Sequence, residues 1–437
     1  MFGYYLRLSW LSIRRNPILS SLMVVAIAVG IGASMTTITV NYAMGSNPIP
    51  HKSDSLFAVQ VDSWDPNEAY REPNIPPDQL TYLDAMALME NAPATRQVAM
   101  TKVFDIIVPE GVEAKPIEAL GRATFSDFFS MFDVPFLYGG SWDHSSDNNR
   151  QMVIVLSREI NEKVFGDKNS VGKFVRVGSH TFKVVGVLGN YQPIPKYYDV
   201  TNGPFNDPED YYIPFNLVTE LELSRAGNTN CWKATEDSGF EAFLNSECVW
   251  IQFWAELPTT QDQQEYLSFL KNYVESQKEF GRFPRPINNR LNDVMTWMEL
   301  QNVVDNSAKV MMWLSIMFLM VCLLNTIGLL LTKFTTKAPE IALRRALGAS
   351  KMTLFIQHSI ESALIGMGGG IVGLLLAWLG LKGILSLFGS EVEHVAHLDV
   401  SMILFAIGLA VGSAIIAGIY PTWRACNVQP AVQLKTQ

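Results

Sequence analysis

The chain has 437 residues, of which 48% are hydrophobic and 17% charged, with 33 Lys and Arg against 42 Asp and Glu for a formal charge of −9. Its length is about three times the ~150 residues of a typical domain, so at least two folding units are expected. The apolar content excludes disorder and coiled coil as the main state, and the acidic balance excludes a nucleic-acid binder, which needs basic patches to meet phosphates.

The charge is segregated along the chain. Residues 1–17 carry Arg7, Arg14 and Arg15 and no acid. Ile18 to Tyr42 follows as the first of four apolar runs without Asp, Glu, Lys or Arg. Each is long enough to cross a ~30 Å hydrocarbon core, which takes about 20 helical residues. A basic start before an apolar stretch also describes a secretory signal, but this run is about twice the usual ~7–15 residues and no clear small-x-small site follows it. It reads as an uncleaved membrane helix, residues 18–42.

Residues 43–309 hold 37 acids and 22 bases, a net −15 that marks them as the exported part, whereas the remainder holds 5 acids and 11 bases. Alternating stretches at Ser55–Val61 and Lys183–Val187 predict strands. Helical spacing of Leu80, Leu83, Met86 and Leu88 predicts a helix within Pro77–Glu90, and Tyr266, Phe269, Leu270 and Tyr273 predict another within Gln261–Phe280. The mixture predicts an α+β domain. Asn, Asp, Gly and Pro concentrate at Tyr191–Pro208 and Ser141–Asn149, predicting surface loops. Cys231 and Cys248 form the one exported pair, and an oxidising compartment favours a disulfide between them. Leu291, Val294, Met295, Met298 and Val303 keep helical spacing up to the second apolar run, predicting a continuous stalk helix over 291–309.

The second membrane helix is expected at 310–332, the third at 359–381 and the fourth at 401–420. The 333–358 loop carries Lys333, Lys337, Arg344, Arg345 and Lys351, and the 421–437 tail carries Arg424 and Lys435. The 382–400 connection has Lys382 against Glu391, Glu393 and Asp399. Positive-inside then places both termini and 333–358 in the cytoplasm, with 43–309 and 382–400 outside.

Sites of chemistry are scarce. The string GDKNSVGK at Gly166–Lys173 has one residue too many between its glycines for a phosphate-binding loop, and Phe174 stands where a Mg²⁺-ligating hydroxyl would be needed; it reads as a turn between strands. HExxH and GxSxG do not occur. His394 and His397 near Glu391 and Glu393 read as a solvated loop rather than a metal site, so no metal is expected. Gly366/Gly370 and Gly369/Gly373 are small-xxx-small pairs within the third membrane helix and predict close helix packing. Asn325 is the one amide of the second and is expected to bond between helices or protomers. The membrane runs lack the charges of a proton relay. In the cytoplasmic loop, Pro339 and Glu340 suit a helix start and Gly348 a stop, with Ile341, Leu343, Ala346 and Leu347 forming an apolar side.

That loop, EIALRRALGASK, followed by Gln357 and Glu361, resembles the E-I-G-x-R-x-A-x-G-A signature of the FtsX-type ABC permease domain. The tail Gly418–Leu434 resembles the closing pattern of the same family. Tyr138–Ser141, Val153–Val187 and Tyr212–Phe215 resemble the MacB-like periplasmic core domain. The resemblance covers nearly the whole chain in order and implies a type VII ABC permease of the bacterial inner membrane, four transmembrane helices with a large α+β periplasmic domain inserted between the first two. It further implies a split porter-like domain at 50–110 and 249–295, an inserted lobe at 115–245, and an ATPase-coupling role for Glu340, Arg344, Arg345 and Gly348. Ala342 stands where the family usually has Gly, and no ATPase is fused within this sequence.

By that resemblance the chain is a non-catalytic subunit that binds no cofactor directly. ATP and Mg²⁺ would be used by a separate cytoplasmic ABC ATPase, and a second permease protomer, identical or related, would complete a dimer. A periplasmic adaptor and a TolC-type outer-membrane duct would carry the substrate out. FtsX-like activation of a cell-wall hydrolase and LolC/LolE-like lipoprotein extraction share this architecture and remain the alternatives.

Overall fold

The computed structural model describes residues 2–109, 115–233, 235, 238–388 and 400–426. It divides into a helical unit, Met1–Gly45 with Val304–Gln437, and an α+β unit, Ser46–Val303.

The helical unit opens with α1 (Phe2–Arg15) and α2 (Pro17–Gly45). The sequence marks 1–17 only as a basic segment, because Arg7, Arg14 and Arg15 interrupt its apolar residues before they make a run long enough to cross a membrane. Asn16 separates the two helices, and Pro17, preset for the first helical position, starts the second.

The α+β unit follows with β1 (Leu56–Gln60), α3 (Tyr82–Asn91), β2 (Arg96–Val108), β3 (Ile117–Thr124), α4 (Asp127–Met131), β4 (Phe136–Gly139), α5 (His144–Asn148) and β5 (Val153–Leu156). It continues through α6 (Arg158–Phe165), β6 (Phe174–Val177), β7 (His180–Leu188), β8 (Tyr211–Pro214), α7 (Leu217–Glu220), α8 (Phe240–Leu244), β9 (Gln252–Glu256), α9 (Thr260–Glu279), β10 (Arg290–Asp293) and α10 (Val294–Leu300). Among the described residues ten strands join one mixed sheet of order β10-β1-β9-β2-β3-β8-β5-β7-β4, with β6 pairing β2 and β7. Strands from 50–110 and 249–295 occupy one half of this sheet and strands from 115–245 the other, joined through β2 and β3.

Both faces of the sheet are covered. Phe57 and Val59 of β1 enter one core cluster while Leu56 and Ala58 enter a second. Gln60 is buried on the same strand, and its amide is satisfied by the carbonyls of Pro76 and Pro77 and by Asn292. Helix α9 starts on a capping box of Thr259 and Asp262 and buries Tyr266, Leu270 and Val274 at four-residue spacing. Helix α3 begins later than expected: Thr81 caps it, and Leu80 instead pairs with Ile251.

Four expectations are corrected. No continuous stalk helix spans 291–309. Residues 290–293 form β10, Asp293 caps α10 by accepting from the amides of Met295 and Thr296, and Asn302 then adopts φ 52°. Asn tolerates that left-handed conformation, which ends α10 before α11 begins at Asn306. Tyr191–Pro208 is not a surface loop: residues 197–202 make a 3-10 turn whose Tyr197, Tyr198 and Asp199 are buried. Likewise Trp142 and Asp147 in the 141–149 segment are buried, the indole Nε1 donating to the carboxylate at 2.7 Å. Finally, GDKNSVGK follows a helix rather than a strand, with Gly166 at φ 71° closing α6.

The helical unit resumes with α11 (Asn306–Thr336), α12 (Ala338–Ala346), α13 (Lys351–Phe388) and α14 (Val400–Cys426). Among the described residues four helices, α2, α11, α13 and α14, are long and apolar enough to cross a membrane. Each runs past its apolar core, so the polar connections are shorter than the sequence runs implied.

Candidate functional site

Helix α13 packs against both α2 and α14, and its glycines set the distance. A Cβ at Gly366 would lie 2.5 Å from the Ala414 Cβ, and one at Gly370 would lie 2.8 Å from that of Ala410. On the adjacent face, a Cβ at Gly369 would lie 2.6 Å from Ile27 Cγ2, and one at Gly373 would lie 2.9 Å from Ile31 Cβ. These pairs, four residues apart, let backbones approach on two sides of one helix. Asn325 is on the exposed side of α11 and bonds to no other helix of its own chain among the described residues.

Where α11 ends and α13 begins, the helices close around an ionic cluster. Lys333 Nζ lies 2.7 Å from Glu361 Oε1 and 3.0 Å from Ser20 Oγ, and both charged side chains are fully buried. Lys337 Nζ approaches the same carboxylate oxygen at 3.6 Å, and His358 Nδ1 lies 3.4 Å from Oε2. The Ser12 hydroxyl donates to Glu361 and accepts from Lys337, while Ser9 donates to the Gln357 carbonyl at 3.3 Å. Helices α1, α2, α11 and α13 thus meet at one carboxylate.

Helix α12 starts directly after Lys337. Arg344 forms an i,i+4 pair with Glu340 at 2.6 Å and donates to Gln357 Oε1 at 3.1 Å. Arg345 donates to the Cys426 carbonyl at 3.2 Å, linking the helix to the end of α14. Gly348, at φ +100°, turns the chain toward α13 in a conformation that favours glycine. The expected apolar side is divided: Ile341 and Ala342 are buried, whereas Leu343 and Leu347 are 52% and 79% exposed. Helical geometry separates Ile341 from Leu343 and Leu347, which a simple grouping of apolar residues overlooks.

The sequence counted Lys333 as a loop charge and gave Glu361 no role of its own. Their signal was spacing, Lys333/Lys337 and His358/Glu361 each falling on one helical face, but it becomes visible only when the helices extend beyond their uncharged runs.

The α+β unit has a second buried cluster that sequence reading missed. Arg122 of β3 contacts Asp199 and Glu209, Lys196 Nζ lies 3.4 Å from Glu209 Oε1, and Lys102 Nζ lies 4.0 Å from Asp199. Tyr198 and Tyr212 each donate to Glu209 Oε2 at 3.2 Å. These contacts explain why the 191–208 segment is drawn inward. Elsewhere Cys231 and Cys248 are joined in a disulfide beside the paired Asn230 and Val249. Among the described residues no group of three or more His, Cys, Asp or Glu could hold a metal ion. Glu391, Glu393, His394 and His397 lie outside the described residues, as does the tail beyond Cys426.

Comparison with known proteins adds two family matches. Residues 20–262 match the MacB-like periplasmic core domain, and residues 312–430 match the FtsX-like permease C-terminal domain. The macrolide export ATP-binding/permease protein MacB of Bdellovibrio bacteriovorus is 19% identical over 303 residues, covering 68% of this chain and 41% of that protein. The pyoverdine export ATP-binding/permease protein PvdT of Pseudomonas fluorescens is 20% identical over 417 residues, covering 95% of this chain and 55% of that one. The chain therefore spans about half the length of these relatives. The crystal structure of the periplasmic region of MacB from Actinobacillus actinomycetemcomitans aligns at 13% identity with a TM-score of 0.37, over 59% of this chain and 96% of that one.

Proposed function

This chain belongs to the MacB/FtsX-like permeases of the type VII ABC transporter superfamily, and we propose that it converts ATP hydrolysis in a cytoplasmic partner domain into movement of its periplasmic domain. The observation that carries this reading is α12: Leu343 and Leu347 are exposed while Arg345 and the Glu340–Arg344 pair tie the helix to α14 and α13. It offers an apolar docking surface on a braced support, the arrangement a mechanical transmitter needs.

In this reading both chain ends and α12 are cytoplasmic, and 43–309 is periplasmic. Catalysis of ATP hydrolysis belongs to the partner, with its own ATP and Mg²⁺. Substrate bypasses the membrane helices, whose apolar runs contain no Asp, Glu, Lys or Arg. The activities for which the relatives are named, macrolide and pyoverdine export, favour ejection of a small molecule from the periplasm, through an adaptor and an outer-membrane duct. A second permease protomer completes the assembly, and Asn325 on the exposed side of α11 is suited to bond across that interface.

The test is affinity purification from native membranes with assay of ATP hydrolysis. The wild-type chain should bring down an active ATPase, and L343D/L347D should lose it while retaining the same melting profile. Failure to recover any ATPase with the wild-type chain, or hydrolysis by the purified chain alone, would overturn the proposal.

A further inference from the structure

A cavity of about 120 Å³ opens between α1, α12 and α13. From α1 it is lined by Leu8, Leu11, Ser12 and Arg15, whose i, i+3, i+4, i+7 spacing is one face of a helix. Opposite stand Lys337, Ile341, Arg344 and Glu361. The α1 wall thus combines two leucines with Ser12 and Arg15, and the opposite wall carries charges of both signs.

Its depth follows from the ends of the helices. Arg15 closes α1 just before α2 starts at Pro17, and Lys337 follows directly on Thr336, the last residue of α11. Both α2 and α11 are membrane-crossing candidates. The cavity accordingly lies where hydrocarbon gives way to headgroups.

The charge there is not balanced. Glu340 and Glu361 also line the cavity, but Arg344 pairs with the first at 2.6 Å and Lys333 holds the second at 2.7 Å from behind. Lys337 shares Glu361 with Lys333, at 3.6 Å, so two cations face one carboxylate and a positive charge is left over there; Arg15 adds a second, and among the described residues it has no hydrogen-bond or ion-pair partner. The rest of α1 matches an interfacial location. It contains no acid, exposes Arg7 and Arg14, and also exposes Tyr4, Trp10 and Leu11.

We propose that this cavity binds an anionic phospholipid, with the phosphate group against Arg15 and Lys337 and an acyl chain along Leu8 and Leu11. A neutral headgroup lacks the net charge that the excess cations call for. A free phosphate leaves the leucine wall unused. The inference requires only that the four long helices cross a bilayer, and it stands whether or not an ATPase docks on α12.

The full chain, purified in neutral detergent, is titrated with phosphatidylglycerol, phosphatidylethanolamine or inorganic phosphate and followed by native mass spectrometry. Phosphatidylglycerol should bind more tightly than phosphatidylethanolamine, and Arg15→Gln should weaken it about fivefold, the effect of one basic group at a membrane surface. Arg14→Gln removes the same charge from the same helix outside the cavity and should change binding by less than roughly twofold. Leu11→Gln should weaken phosphatidylglycerol and leave phosphate binding as it was. Equal losses in R14Q and R15Q would reveal diffuse attraction and overturn the site. So would equal binding of the two lipids, or displacement of phosphatidylglycerol by equimolar phosphate. Should R15Q fail to fold, unchanged phosphatidylglycerol binding by L11Q overturns the proposal on its own.

Discussion

Replacing Glu209 by Gln in the α+β unit removes one of two carboxylates that face three cations. Arg122, Lys196 and Glu209 are essentially inaccessible, and Lys102 is nearly so. Burial alone would push the Glu209 carboxyl upward, but the charges of Arg122, Lys196 and Lys102, with the hydrogen bond from Arg122, outweigh it and hold the group far below the usual carboxylate range. In E209Q those cations retain only Asp199, and burial already pushes the Lys102 ammonium below its usual range. Removing one partner from a buried ionic group costs about 3–5 kcal/mol. At ~2–4 °C per kcal/mol for a domain of this size, the melting transition should fall by roughly 6–20 °C. Trp fluorescence of the full chain in detergent follows it, since Trp250, Trp254 and Trp297 are buried in this unit.

The pH dependence provides a separate check. A depressed folded-state pKa stabilises above the unfolded value of about 4.3, and that contribution is lost as pH falls toward the folded value. The difference between wild type and E209Q should be full above about pH 5 and narrow in acid. A neutral-pH change below about 3 °C, or a difference that widens in acid, would refute the reasoning.

Gly369→Val should destabilise the helical unit by about 1–3 kcal/mol through overpacking against Ile27. Gly368→Val provides the control, because its Cβ would meet nothing closer than 3.6 Å, and detergent melting compares the two. Glu361→Gln leaves Lys333 buried without its counter-ion and should cost about 3–5 kcal/mol. The paired change K333M/E361L should recover most of that loss in the same melting assay. C231S/C248S opens a link between residues 17 apart, worth about 3 kcal/mol in the chain-entropy model, and should lower the α+β transition by roughly 6–12 °C.

The membrane helices and the α+β class were legible because uncharged runs and turn residues report directly on burial. The paired glycines of α13 were equally readable, since removing side chains four residues apart has one geometric consequence in a helix. The 191–208 segment was not, because its Asn, Asp, Gly and Pro content follows local turn chemistry while its burial comes from Arg122, distant in sequence. The false stalk has a different origin. Apolar spacing continued across Gln301–Asn306, but Asn302 and the Asp-Asn-Ser sequence at 305–307 carry the stop and start signals. Helix α1 escaped notice because Arg7, Arg14 and Arg15 interrupt its apolar residues, and the side-chain bonds that hold it to α13 come from two serines, Ser9 and Ser12.

The connection between α11 and α13 bears on how a push at α12 would travel. A flexible loop over 333–358 would absorb displacement, as few buried contacts would oppose it. Instead α11 persists to Thr336, α12 follows at Ala338, and Lys333 and Lys337 converge on Glu361 at the start of α13. Moving α12 must therefore move the ends of α11 and α13 or separate buried charges, and separation is the more costly route. Farther along α13, the glycine contacts with Ile27, Ile31, Ala410 and Ala414 oppose independent sliding of α2 and α14. A close-packed assembly of this kind responds by a collective shift rather than local deformation, which is the mechanical property that the proposed transmission requires.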